Sequence, residues 1–167
     1  MTLRAAALLL ALTIPLTGCG LRPLYAGGGS GLVAQSLRSI EVGPIGGRAG
    51  WLVRTALEDR LAPGAGAKRY RLEVELDDQI IGFGVRADDA ETRERRTLRA
   101  RYRLVEQDKG TVVLDATAGS DVGIDVVSSE YAVVAAEQTA LERLSKELAD
   151  QIVTRLALFA SRGGTAQ

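Results

Sequence analysis

The chain is predicted to fold as an α+β two-layer sandwich. A four-stranded, largely antiparallel sheet carries two helices on one face, in the order β-α-β-β-β-α. Three observations predict it. Residues 69–81, RYRLEVELDDQII, alternate apolar and charged side chains, the period of a strand buried on one face. Residues 92–103, TRERRTLRARYR, keep the alternation while holding six arginines. Residues 129–159 repeat apolar side chains at spacings of three and four, the period of an amphipathic helix.

Each element can be justified in turn. Ser39-Ile40-Glu41-Val42 alternates and reads as a short strand, ended by Gly43-Pro44. Residues 48–61 place Leu52, Val53, Ala56, Leu57 and Leu61 at helical spacing, and Pro63-Gly64 stops that helix. In the next strand Tyr70, Leu72, Val74 and Leu76 share one face, opposite Arg71, Glu73, Glu75 and Asp77. In the arginine-rich strand Leu98, Ala100, Tyr102 and Leu104 point inward, while Arg93, Arg95, Arg99, Arg101 and Arg103 point outward. Asp108-Lys109-Gly110 is a turn into a last strand with Val112, Leu114, Ala116 and Ala118 inward. The closing helix has the stripe Tyr131, Val134, Gln138, Leu141, Leu144, Leu148, Ile152, Leu156 and Phe159. Ser128 or Ser129 can cap its start, and Arg162-Gly163-Gly164 ends it.

The 167 residues suffice for one domain with a core. Aromatic residues are only 4% of the chain, so that core is Leu, Val, Ile and Ala. Histidine is absent, which removes the commonest general base and the commonest zinc ligand. The N-terminus reads MTLRAAALLLALTIPLTGCG. Its apolar run, Ala5 to Ile14, is far shorter than the roughly 20 residues that span a bilayer, so it reads as a secretory signal. Leu16-Thr17-Gly18-Cys19 resembles a lipobox, and Cys19 is the only cysteine. Two or three acyl chains on one residue exceed what stable anchoring needs. Gly20, rather than Asp, after the lipidated cysteine resembles the outer-membrane sorting pattern. The expected organisation is a cleaved signal peptide at 1–18, a lipidated N-terminus and flexible tether at 19–37, a single domain at 38–160 and a disordered tail at 161–167.

The chain has formal net charge zero, so the arginine strip needs an explanation. A hairpin centred near Ala87 sets Glu75 opposite Arg99 and Glu73 opposite Arg101, and leaves Arg71 opposite Arg103. On one reading the strip is a solvated face paired with its own acids, each exposed pair worth about 0.2–1 kcal/mol. On the other it is a ribbon of guanidinium groups for an anionic partner. Gly82-Phe83-Gly84-Val85-Arg86 is expected to be the hairpin loop, with Phe83 and Val85 as candidate contacts to a partner.

Cys19-Gly20-Leu21-Arg22-Pro23-Leu24-Tyr25, the Gly47-Arg48-Ala49-Gly50 helix start, the arginine-rich third strand and the pairs Tyr131-Ala132 and Ala136-Glu137 together resemble the LptE lipopolysaccharide-assembly lipoproteins of alphaproteobacteria. The resemblance covers most of the chain. It implies two helices on a four-stranded sheet, and a lipid-anchored protein on the periplasmic side of the outer membrane. It further implies a plug that helps assemble the LptD β-barrel and that binds lipopolysaccharide (LPS). Lipid A phosphates and core-sugar carboxylates then become the expected anions. On charge, Arg86, Arg93 and Arg95 near the tip are the first candidates for LPS, followed by Arg99, Arg101 and Arg103. Phe83 and Val85 become candidates for the barrel contact.

Catalysis is not expected, because the chain has no histidine, no phosphate-binding glycine loop and no cysteine free of lipid. No cofactor or metal is expected beyond the lipid on Cys19, and export excludes nucleic acid as a partner. The rival reading is an accessory lipoprotein of a phospholipid or ABC-type transport system, which can share the signal, the tether and a small α/β domain.

Overall fold

In the computed structural model the described residues are 31–62, 64, 66–85 and 91–163. They form seven elements: α1 (Leu32–Arg38), β1 (Ile40–Val42), α2 (Gly47–Leu61), β2 (Tyr70–Val85), β3 (Glu91–Glu106), β4 (Thr111–Asp125) and α3 (Glu130–Gly163). The sheet order is β1-β2-β3-β4. β1 runs parallel to the start of β2, and the other pairings are antiparallel. The predicted α+β sheet-and-helix architecture is therefore present, with one helix more than expected.

That additional helix, α1, falls within the expected tether. Its N-cap is Gly31, with no side-chain cap and no acidic residue in the first turn, so its sequence carries only a weak start signal. Tertiary packing forms it instead: Leu37 is buried in the core, beside α3. The folded unit thus begins before residue 38. At the other end α3 takes in Ser161 and Arg162, which were expected in the tail.

The long strands obey their alternation. Leu72, Val74, Leu98, Ala100, Tyr102 and Leu104 are buried beneath the helices. From α3, Leu141, Leu144, Leu148, Ile152 and Leu156 complete the core, each worth about 1.5–3 kcal/mol when fully buried. Three polar contacts fix α3 over the sheet and against α2. The Gln151 amide donates to the Gly119 carbonyl at 3.2 Å and accepts from the Gly119 N–H at 3.3 Å. Ser120 donates to Glu147 at 2.7 Å, and Arg60 on α2 donates to Asp150 at 3.0 Å. Ser129 caps the helix start through the Ala132 N–H at 3.4 Å.

Four local expectations are corrected. The hairpin register pairs Glu75 with Arg101, Glu73 with Arg103 and Asp77 with Arg99, a register shifted by two from that of a hairpin centred at Ala87. A shift of two preserves the faces, and it sets Arg71 opposite Val105 in place of Arg103. Gly82–Val85 is the end of β2 rather than a loop, with Phe83 opposite Arg93 and Val85 opposite Glu91. A bulge between Leu104 and Val105 reverses the phase of β4 at its start, so Val112 is exposed and Val113 packs on the core. Tyr131, Val134 and Gln138 are also exposed, although they extend the apolar stripe of α3.

The cause of that last exposure lies in the sheet. Under the first turns of α3 the inner face carries Asp78, Glu94 and Arg96 instead of leucine. Arg96 donates to both carboxylate oxygens of Asp78, at 2.9 and 2.7 Å, and to the Glu137 carbonyl at 2.9 Å. Its side chain is only 11% exposed. A charged clasp replaces apolar packing there.

Two outcomes follow from these contacts. Arg96→Met should cost about 1.5–3 kcal/mol, the value of hydrogen bonds to charged groups, and amide exchange over residues 130–140 should speed up. Unchanged unfolding and unchanged exchange would show that the clasp is incidental. At Gly50 an added Cβ would lie 2.5 Å from the Ile45 carbonyl oxygen, a backbone atom that cannot swing away. Gly50→Ala should therefore destabilise by about 1–3 kcal/mol in denaturant titration, against the gain an alanine normally brings to a helix interior.

Candidate anion-binding face and apolar tip

The outer sheet face is assembled in cross-strand rows. From the hairpin end inward these are Phe83–Arg93–Asp125, Ile81–Arg95–Gly123, Gln79–Thr97–Asp121, Asp77–Arg99–Gly119, Glu75–Arg101–Thr117 and Glu73–Arg103–Asp115. β3 supplies the arginines because its odd positions face outward, and β2 and β4 supply acids on either side. With Arg71 and its β1 partner Glu41 included, the face holds six arginines and seven acids. The strip is thus neutralised across its own sheet.

The pairing is uneven along the strand. Arg101 grips Asp115 with two hydrogen bonds, at 3.2 and 2.9 Å, and that contact holds the Asp115 carboxyl below its usual range. Arg103 lies 3.3 Å from Glu73 and 3.5 Å from Glu75. Arg93 meets Asp125 at 3.2 Å. Arg95 reaches Asp121 only at 3.7 Å, and its guanidinium sits 5.5 Å from the centre of the Phe83 ring. Arg93 and Arg95, the first LPS candidates on charge, thus each have an acidic neighbour on β4. Both contacts are exposed, so each is weak and open to competition.

Arg99 differs from its neighbours. Its row partner Asp77 accepts instead from Gln79, at 3.0 and 3.1 Å, and Gly119 offers no side chain on the other side. Among the described residues Arg99 has no ion-pair partner. A Cβ at position 119 would sit 3.2 Å from Arg99 Cγ, so the glycine leaves room for that arginine's stem. An open depression of about 720 Å³ lies here, lined by Glu75, Asp77, Arg99, Arg101, Thr117 and Gly119 among others. It offers a free guanidinium beside a notch, which is what a phosphate or carboxylate needs.

Beyond Arg95 the surface turns apolar. Ile81 is 59% exposed and Phe83 39%, both on the outer face. Ile80, Val127, Tyr131 and Val134 are also exposed, on the end of β2, in the connection after β4 and at the start of α3. The residues brought together at this end are therefore Phe83, Arg93 and Arg95, while Arg99, Arg101 and Arg103 continue the row toward β1. Val85 is placed on β2 by its backbone. Arg86 and Cys19 lie outside the described residues. Among the described residues no acid, cysteine or histidine cluster could hold a metal ion. A separate exposed aromatic, Trp51, stands on α2 in the helical layer.

Two features escaped the sequence. Arg96 belongs to the arginine run, yet its even number sends it to the helix face. The isolation of Arg99 depends on the β3–β4 register, which no alternation pattern reveals.

The architecture and this face can be set beside known proteins. The model of the LptE lipopolysaccharide-assembly family matches residues 37–156. A search of curated proteins finds no significant match. A solved lipoprotein of Caulobacter crescentus is 31% identical, with 77% of this chain and 96% of that chain covered and a TM-score of 0.65. A minor lipoprotein of Acinetobacter baumannii shares the fold at 13% identity, covering 71% of this chain and 90% of that one, with a TM-score of 0.57. Rare lipoprotein B of Shewanella oneidensis does so at 11% identity, covering 74% and 96%, with a TM-score of 0.57. The family match spans every strand and most of the long helix, and the Caulobacter lipoprotein agrees in both sequence and fold. This chain belongs to the LptE lipopolysaccharide-assembly family.

Proposed function

We propose that this chain is an outer-membrane lipoprotein, anchored through acyl chains on Cys19, that occupies the lumen of the LptD β-barrel, helps it assemble and binds LPS in transit. It acts by binding and positioning, without catalysis. The observation that carries this reading is the amphiphilic end of the hairpin. There, exposed Ile81 and Phe83 stand beside the guanidinium groups of Arg93 and Arg95, with Arg99 open further along the strand. LPS has the same juxtaposition, with acyl chains next to phosphates.

The neutral outer face supports the plug. The interior wall of an outer-membrane barrel is polar. A surface whose charges are matched in place can sit against such a wall without carrying net charge into it. LPS contacts on this reading fall to Arg93, Arg95 and Arg99, with Arg86 beside them in sequence and with Arg101 and Arg103 committed to their acids. Phe83 and Val85 contact the barrel at the tip.

The test is affinity purification of the tagged full-length lipoprotein from detergent-solubilised envelopes. A large β-barrel recovered near one-to-one is the expected result. Recovery of inner-membrane transporter subunits without a barrel would instead identify an accessory lipoprotein of a phospholipid or ABC-type system, and the plug reading would be lost.

A further inference from the structure

The two edges of the sheet differ. β4 forms one of them. The backbone of its Gly119 faces outward, because the Gln151 amide meets both the N–H and the carbonyl of that residue, at 3.3 and 3.2 Å. A side-chain amide there takes the place of a neighbouring strand. Asp115, Asp121 and Asp125 stand along the same strand, each with a β3 arginine within 3.7 Å. Charges and bonded backbone groups are the usual protection of an edge strand.

The other edge is open. β1 covers only Tyr70, Arg71 and Leu72, and its last contact is the Gly43 N–H donating to the Leu72 carbonyl at 2.9 Å. Pro44 follows and has no N–H to donate. The Leu72 carbonyl therefore faces away from β3. The β2–β3 register is unbroken from Tyr70 to Phe83, so the backbone of Val74, Leu76, Asp78, Ile80 and Gly82 faces the same way. Among the described residues no hydrogen bond reaches the N–H and carbonyl groups on that side. Residues 79–85, QIIGFGV, are also uncharged, with Ile80 and Ile81 exposed. An unprotected apolar edge is a template for another strand.

Charge selects the strand. The three outer acids of β4 each have an arginine of their own, but Glu73, Glu75 and Asp77 on β2 do not. Arg103 alone serves Glu73 and Glu75, at 3.3 and 3.5 Å, and Asp77 accepts only from the Gln79 amide. Negative charge is therefore left over on the outer side of the open edge. On its inner side lie Val74, Leu76 and Ile80, with Asp78 already held by Arg96.

We propose that β2 accepts an extended segment of a partner protein along residues 74–82, with arginine or lysine on the segment's outer side and aliphatic side chains on its inner side. Backbone hydrogen bonds to the open edge hold the segment, and the alternating side chains decide which segment fits. Its cations meet Glu73, Glu75 and Asp77. Its aliphatic side chains extend the apolar layer beside Leu76 and Ile80. A second copy of β2 is a poor occupant, because residues 72–85 bring the same acids and no cation. The inference holds whatever ligand the tip binds.

Residue-resolved amide hydrogen exchange tests it on the full-length lipoprotein in detergent. The probe is an end-blocked synthetic peptide of alternating arginine and valine, about nine residues long to match the open edge. Its addition should slow exchange at Leu76, Asp78 and Ile80 about tenfold or more, and leave Asp77 and Gln79 unchanged, since their N–H groups already face β3. A peptide of alternating glutamate and valine should bind about tenfold more weakly at low salt. Ile80→Pro removes one outward N–H at an edge position, where proline is tolerated, and should abolish the protection. Unchanged exchange in the unmodified protein, protection spread evenly over odd and even residues, or equal binding of the glutamate peptide would overturn the proposal. Protection without any peptide would overturn it too. If that protection rises with protein concentration, the occupant is a second copy, and if it does not, the chain covers its own edge.

Discussion

Strand β3 lies between two strands that carry acids on the same face, and the rest of the molecule depends on that match. Its odd positions hold arginines and its even positions hold Leu98, Ala100, Tyr102 and Leu104. A slip of one residue would bury guanidinium groups and expose the core. A slip of two toward Ala87 would set Arg71 against Arg103, so like charges oppose it. Individually the outer pairs are exposed and worth little. Together they discriminate between registers that the apolar face alone leaves equivalent.

The chosen register gives the molecule two unlike ends. Near β1 the sheet is covered by α1 and the last turns of α3, and the chain enters there from its N-terminal side. At the far end β2 and β3 run on as a long ribbon whose inner face turns polar at Asp78, Glu94 and Arg96. The first turns of α3 are consequently tied down by the Arg96 clasp, and their apolar side chains are left exposed. Leucine beneath them would cover those side chains and close the end. The polar patch thus helps keep Tyr131 and Val134 available, at the same end as the outer-face Ile81 and Phe83, which is the arrangement expected of an end that meets a partner or a lipid.

Much of this was legible in the sequence, and the failures have physical causes. Alternation located β2, β3 and β4 and assigned their faces correctly over most of their length, because burial on one face forces a period of two. The family resemblance, read from Gly47-Arg48-Ala49-Gly50 and the arginine strand, agrees with the family match. The helix α1 was missed because its stability comes from Leu37 in the core and its own sequence has no side-chain cap. Val112 was placed inward because a bulge is a local event with no periodic trace. Tyr131 was placed in the core because helical spacing records which residues share a stripe, while the sheet decides whether anything apolar lies beneath it. Arg99 stood out from its neighbours only after Gly119 and Asp77 were seen beside it.

The central claim is that the arginine face is largely self-neutralised, and that only its less tightly held part serves an anion. Binding of purified LPS to two charge-reversed double variants, each checked for intact folding, tests it most directly. Arg95→Glu with Arg99→Glu should weaken binding about tenfold or more, some 1.4 kcal/mol. Arg101→Glu with Arg103→Glu should weaken it clearly less, since those arginines are already held by Asp115, Glu73 and Glu75. Equal losses in both variants, or a larger loss in the second, would contradict the account.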